Sequence, residues 1–157
     1  MKQLGRLDFS LYFEDLEPGT TWETEGRTIF EADLCTFLGL AWFNERLFAN
    51  MHDRSGFGMK GQPVPGALVY IVAEGLTMPS ISKSGLAFLH TDMDIKQSVS
   101  VGDTVYVKCE VIESRRASEG ARGLVRTRNT VLNQHGQTVL VYQPLRLIKM
   151  RDEPADS

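Results

Sequence analysis

Glu74 stands apart among the ionisable side chains of this sequence. It is the one charge inside an apolar run, residues 66–78, which reads GALVYIVAEGLTM. A carboxylate carried into apolar surroundings has its pKa raised unless it is paired. Such a group can serve as general acid or base toward a substrate lying beside it. The competing reading is a carboxylate neutralised by an arginine, or one reaching a dimer interface. Histidine, the commonest proton-transfer group, occurs three times. His135 falls in an Asn-Gln-His-Gly turn and is expected at the surface. His90 shares a strand face with Asp92 and Asp94, which reads as an outer face. His52, beside Asp53 and Arg54, lies in a polar, aromatic stretch and is the histidine to test for catalysis. His52 with Asp53 forms no metal motif, and Cys35 and Cys109 have no ligand spacing, so no metal is expected.

The element that must position these groups is the run itself. Residues 62–78 (QPVPGALVYIVAEGLTM) open on Pro63, Pro65 and Gly66. Proline suits the first turn of a helix, where its missing N–H costs nothing. A helix apolar on all sides is expected to be buried on all sides. At roughly 20 Å the run is too short for a membrane span. A core helix is therefore predicted, stopped by Pro79, with a polar connection over 80–85. Before it, residues 40–61 are irregular, mixing Trp42, Phe43, Phe48 and Phe57 with polar side chains. Such a loop makes a natural pocket wall.

Earlier still, residues 1–20 form a lead-in, and 21–30 read as a strand rich in Thr and aromatic residues. Thr28 and Glu31 fit a capping box that opens a helix over 31–40, with Leu34, Phe37, Leu38 and Ala41 on one apolar face. From Leu86 onward the period changes to two. Strands are predicted over 87–98, 104–114, 124–132 and 137–150, joined by short turns and by a polar hairpin over 115–123. Val105, Val107, Cys109 and Val111 share a face; Pro144 marks an edge or a bulge. Short turns require antiparallel neighbours. The sheet needs something apolar to cover, and the long helix is the one such object available. The expected fold class is α+β, an antiparallel sheet wrapped around a long central helix.

Length and charge bound the rest. A chain of 157 residues is expected to form one domain, here 1–150, followed by a disordered tail over 151–157. A net charge of -3 gives no support to nucleic-acid binding. No secretory leader or membrane segment is read, so the expected location is cytoplasmic, with two free thiols.

Several local features together resemble the MaoC-like acyl-CoA dehydratase/hydratase family, a hotdog fold. They are the lead-in Tyr12-Phe13-Glu14-Asp15-Leu16-Glu17-Pro18-Gly19, the Thr28/Glu31 helix start, and Phe57-Gly58 before Pro65-Gly66-Ala67-Leu68. Val101-Gly102-Asp103-Thr104 and Asn133-Gln134-His135-Gly136 complete the set. The resemblance spans residues 12–150. It implies an acyl-thioester site at a homodimer interface, or in a higher homo-oligomer, with coenzyme A thioester as substrate rather than as a bound cofactor. It also implies that the Gly66 N–H, at the positive end of the central helix, holds the thioester oxygen.

The sequence departs from the family pattern at the acid–base pair. The pattern Gly-Asp-x-Asn-Pro-Leu-His corresponds to residues 41–47, AWFNERL. Asn44 matches; Trp42 replaces the Asp and Leu47 the His. Glu45 is then a substitute base or a solvated loop carboxylate, and Asn44 a group that orients water or the acyl chain. Arg115, Arg116 and Arg122, with Arg126 and Arg128, either dock coenzyme A phosphates or form cross-strand ion pairs on a solvated hairpin. Three functions are compatible with this pattern: a hydratase/dehydratase with a replaced dyad, a thioesterase using Glu74, and a silent acyl-CoA-binding subunit.

Overall fold

Alternating burial along two long strands organises the molecule. The computed structural model describes residues 2–4, 9–52 and 61–152. Strand β7 (Thr104–Arg116) buries Val105, Val107, Cys109 and Val111, and its partner β8 (Arg122–Leu132) buries Val125, Asn129 and Val131. Opposite residues of paired strands share a face, so these side chains form one apolar surface. The elements before β7 are β1 (Thr21–Glu23), β2 (Arg27–Thr28), α1 (Glu31–Ala41), α2 (Arg46–Ala49), β3 (Pro63–Val64), α3 (Gly66–Ile81), β4 (Gly85–His90), β5 (Met93–Ile95) and β6 (Val99–Ser100). After β8 come β9 (Thr138–Tyr142) and β10 (Leu145–Lys149). The main sheet runs β1-β7-β8-β10-β4, with β2 on β7, β9 on β8 and β5 on β9. Every pairing is antiparallel.

Helix α3 lies on the apolar face. Leu68, Val69, Val72 and Ala73 are buried in one cluster with Val105, Val107, Val131, Leu140 and Tyr142. This is the expected α+β hotdog arrangement. The helix is not buried all round, however. Ile71 is 53% exposed and Met78 39%, because the sheet covers one side of α3 and α1 only part of the other.

Several boundaries differ from the sequence expectation. Pro79 does not stop α3, which continues to Ile81. Its last turn is held from outside: the Leu11 N–H donates to the Ser80 carbonyl (2.6 Å), the Lys83 N–H to Ser10 Oγ (3.0 Å), and the Ser84 hydroxyl to the Leu11 carbonyl (2.5 Å). These bonds offset the one intrahelical bond that a proline removes. Pro63 is not helical either; with Val64 it pairs with β6, and Pro65 is the helix N-cap. The Thr28/Glu31 capping box does not form. The Thr28 hydroxyl meets the Thr104 hydroxyl at 2.6 Å, and the cap is supplied by Asp33, whose Oδ2 accepts from the Phe30 N–H at 2.9 Å.

The strand expected over 21–30 is two short strands, and the one over 87–98 is broken at Thr91-Asp92. The last strand breaks at Gln143-Pro144 into β9 and β10. Pro144 sits at a break rather than an edge, since β10 lies between β8 and β4. Arg151, expected in a disordered tail, binds both carboxylate oxygens of Asp15 and lies over the Tyr12 ring. Asp53, Arg54, the turn at 55–58 and residues 153–157 lie outside the described residues. Among those described, no helix is long and apolar enough to cross a membrane.

Candidate active site

The chain enters α3 through Pro65, buried and extended, which delivers Gly66 as the first helical residue. N–H groups of a first turn have no intrahelical acceptor, and the helix dipole adds positive potential there. Gly66 opens on a cavity of about 270 Å³. Phe48, Val64, Val69, Val99, Val139 and Leu140 give it apolar walls, and the segment from Ile95 to Ser98 closes one side. A Cβ at position 66 would crowd the outer end of the Ile95 side chain, which would have to turn aside.

An aromatic relay positions the loop beside this cavity. Phe37 of α1 packs on Phe43 at 5.6 Å between ring centres, and Phe43 on Phe48 at 5.7 Å. Phe48 then faces the cavity from α2. Glu45 is the N-cap of α2, and its carbonyl accepts from the Phe48 and Ala49 N–H groups. Glu45 thus lies three residues before Phe48 in the chain and outside the helix proper. Glu45, Asn44 and His52 are all exposed, and the His52 N–H is tied to Asn50 Oδ1 at 3.0 Å. Among the described residues no carboxylate and no imidazole lines the Gly66 cavity.

Trp42, at the position where the family pattern has its acid, is 82% exposed. It ends α1 in the left-handed conformation (φ 53°), which non-glycine side chains adopt at a cost of about 1 kcal/mol or more. Leu47, at the position of the imidazole, is half-buried.

Glu74 does not meet Gly66. It lies eight residues along α3, about 12 Å down the axis, and its partners are elsewhere. Glu74 Oε1 accepts from the Tyr142 hydroxyl at 2.8 Å and from Arg146 Nη2 at 2.5 Å. Both ends of this ion pair are largely shielded, with side chains 17% and 12% exposed. Of the two readings of Glu74, the arginine-paired one describes its geometry. Burial, followed by the nearby Glu74 charge, pushes the Tyr142 phenol far above its ordinary range. Burial likewise raises the Cys109 thiol to about 12. Neither group ionises near neutral pH. Sequence reasoning missed Tyr142 and Arg146; their alternation on β9 and β10 is not regular enough to expose them.

The arginine cluster lies at the other end of the sheet. Arg116 pairs in register with Gly123, whereas the cavity wall at Leu140 pairs with Val131. Eight residues of β8 separate these points, about 26 Å of strand. Arg115 approaches Glu113 at 3.5 Å, Arg128 approaches Glu110 at 3.1 Å, and Arg122 Nε donates to the Glu119 carbonyl at 3.2 Å. Within one chain these arginines do not reach the Gly66 cavity. His90 and His135 are likewise remote: His90 Nδ1 lies 3.3 Å from Arg126 Nη1 on the outer face, and the His135 backbone N–H donates to Asn133 Oδ1. No three His, Cys, Asp or Glu side chains converge among the described residues.

Residues 53–141 match the model of the FAS1-like, dehydratase domain region. The β-methylmalyl-CoA dehydratase of Chloroflexus aurantiacus is 28% identical over 146 residues, which are 92% of this chain and 42% of that protein. The mesaconyl-CoA hydratase of Cereibacter sphaeroides is also 28% identical over 146 residues, covering 92% of this chain and 43% of that one. A solved MaoC-domain dehydratase from Chloroflexus aurantiacus superposes with a TM-score of 0.88 at 27% identity, over 97% of this chain and 44% of its own. The chain thus spans less than half the length of each of these relatives.

Proposed function

The chain belongs to the FAS1-like dehydratase-region family of MaoC-like hotdog proteins, and on that premise we propose that it adds or removes water across the 2,3-positions of an acyl-coenzyme A thioester. The observation that carries the reading is the Gly66 N–H, open to an apolar cavity at a helix N-terminus. In the hydration direction the thioester oxygen sits on that N–H. A base takes a proton from water as the oxygen bonds to C3. The electron pair of the double bond moves onto the thioester as an enolate, which the N–H and the helix dipole stabilise. Protonation at C2 completes the addition. The curated relatives, a dehydratase and a hydratase by name, support this class of reaction.

Glu45 is the base we favour. Its place one turn before Phe48 supports that role, while Glu74 is engaged by Arg146 and Tyr142. Asn44 and His52 then orient water or substrate. Loss of the conjugated thioester absorbance, followed with a panel of enoyl-CoAs, tests the activity. The Glu45→Gln variant is expected to lower kcat by roughly a hundredfold or more. Full activity in that variant removes Glu45 from the mechanism, and no turnover on any enoyl-CoA counts against the reaction itself.

A second reading is a binding subunit without turnover. Trp42 and Leu47 at the dyad positions favour it, as does a cavity that no carboxylate or imidazole lines among the described residues. It predicts acyl-CoA binding by calorimetry with no hydration.

The assembly we propose is a homodimer through β4. That strand is paired on one side only, by β10, and every one of its residues is exposed. Leu86, Phe88 and Leu89 are among them, and Met93 and Ile95 extend the apolar edge along β5. Long apolar edges invite pairing with another chain.

A further inference from the structure

A row of polar side chains crosses the inner face of the sheet, and two of its atoms are unmatched. Trp22 stands opposite Cys109 across β1 and β7, Cys109 opposite Asn129 across β7 and β8, and Asn129 opposite Tyr142 across β8 and β9. Residues opposite in register share a face, so the four side chains form one line beneath α3. Among the described residues, Trp22 Nε1 and Asn129 Oδ1 are buried and have no hydrogen-bond partner. Both residues line a cavity of about 20 Å³ against the last turns of α3, with Leu16, Val125 and Ile148 among its apolar walls. It shares no lining residue with the Gly66 cavity. Buried polar atoms that are left unmatched carry the full cost of leaving water.

The neighbour of Asn129 fixes which way its amide points. Tyr142 gives its proton to Glu74 Oε1 at 2.8 Å, so toward Asn129 it offers a lone pair. Asn129 hydrogen-bonds the Tyr142 side chain. It must do so through its NH₂ group, which turns Oδ1 to the cavity. The cavity therefore presents one donor, the indole N–H, and one acceptor, the amide oxygen. An anion is repelled by the acceptor and a cation by the donor. Arg146 also lines the cavity, but its charge is matched by Glu74 at 2.5 Å. Water is neutral, donates and accepts, and needs about 10–15 Å³ of such space. Thr77 and Ser80, on the same wall, give their protons to the Glu74 and Thr77 carbonyls and keep oxygen lone pairs for a second water hydrogen. We propose that this cavity binds a single water, which accepts from the Trp22 indole N–H and donates to Asn129 Oδ1. The water extends the hydrogen-bonded chain Asn129–Tyr142–Glu74–Arg146 to Trp22, and so ties the edge strand β1 to the ion pair of α3. The site is independent of the thioester reading of Gly66.

A crystal structure of the whole chain tests this directly. One solvent peak is expected within about 2.7–3.2 Å of both Trp22 Nε1 and Asn129 Oδ1. The lack of such a peak, or a peak that turns anomalous when chloride is exchanged for bromide, overturns the proposal. Thermal unfolding reads the same contact in solution. Trp22 and Asn129 lie two strands apart, about 10 Å at the backbone. Without a shared partner, substitutions at such a distance add. With the water between them, Trp22→Phe is expected to lower the melting temperature by about 2–4 °C less in an Asn129→Leu background than in the wild type. Equal losses in the two backgrounds overturn the proposal. If Asn129→Leu does not fold, the solvent peak in the wild type decides alone.

Discussion

At the scale of the residue, Glu74 shows how a catalytic signature and a structural one diverge. A carboxylate in an apolar run is legible in sequence; its partner is not. Arg146 and Tyr142 arrive from strands some 70 residues away, on either side of the Pro144 break that interrupts the alternation. Arg146 also stacks over the Phe88 ring at 4.9 Å, tying α3 through the sheet to β4. Glu74→Gln is therefore expected to destabilise the fold by about 1–3 kcal/mol, because it leaves the guanidinium without its counter-charge. Urea unfolding measures this loss, and kcat on an enoyl-CoA should change little while the protein remains folded. A collapse of kcat with an unchanged urea midpoint contradicts the assignment. For Gly66 the Pro-Gly entry made the helix start legible, while the role at a thioester came from the family resemblance alone.

At the scale of the element, composition located the helices and the long strands well and their ends poorly. The alternation of β7 appears in its burial without exception from Val105 to Val111. Ends depend on tertiary partners that a local window does not contain, and the last turn of α3 is the clearest instance. The start of α1 shows the same dependence. Thr28 looks like a cap in sequence, but it is taken up by β7, and Asp33 caps instead. The Phe30 N–H, then Arg27, hold the Asp33 carboxyl below its ordinary range. A folded-state pKa lowered in this way stabilises the protein above the unfolded carboxylate value, near 3.8, and the contribution is lost as pH falls through the folded value. Asp15, lowered first by its Arg151 hydrogen bond, acts in the same direction. Melting temperatures of the wild type should therefore fall more steeply between pH 5 and pH 2 than those of Asp33→Asn. Parallel curves would remove Asp33 as a source of acid sensitivity.

At the scale of the whole molecule, the sheet is finished on one side and open on the other. The β1 side is short, while β4 and β5 present a run of exposed apolar side chains. Sequence patterning placed His90, Asp92 and Asp94 on an outer face and Leu89, Met93 and Ile95 on the other, within one strand that the structure divides into β4 and β5. In the single chain every residue of β4 and β5 is exposed, so the alternation finds no counterpart in burial. Leu89, 53% exposed, touches none of the candidate site residues described above. Leu89→Glu is expected to shift the mass measured by light scattering from that of two chains to that of one. A wild-type protein that is already monomeric at micromolar concentration overturns the β4 dimer.

The contacts that hold the end of α3 also impose an order in time. Leu11 and Ser84 are 73 positions apart, as are Ser10 and Lys83. At ribosomal rates of about 5–20 residues per second, the lead-in waits roughly 4–15 s for the helix turn it caps. During that interval the Leu11 N–H and carbonyl wait for Ser80 and Ser84. The Lys149 N–H, which donates to the Ser84 carbonyl at 2.7 Å, follows Ser84 by a further 65 positions (149 less 84). The lead-in is thus made well before the helix turn it holds and is secured only after it, and a nascent chain is open to cleavage there in the interval.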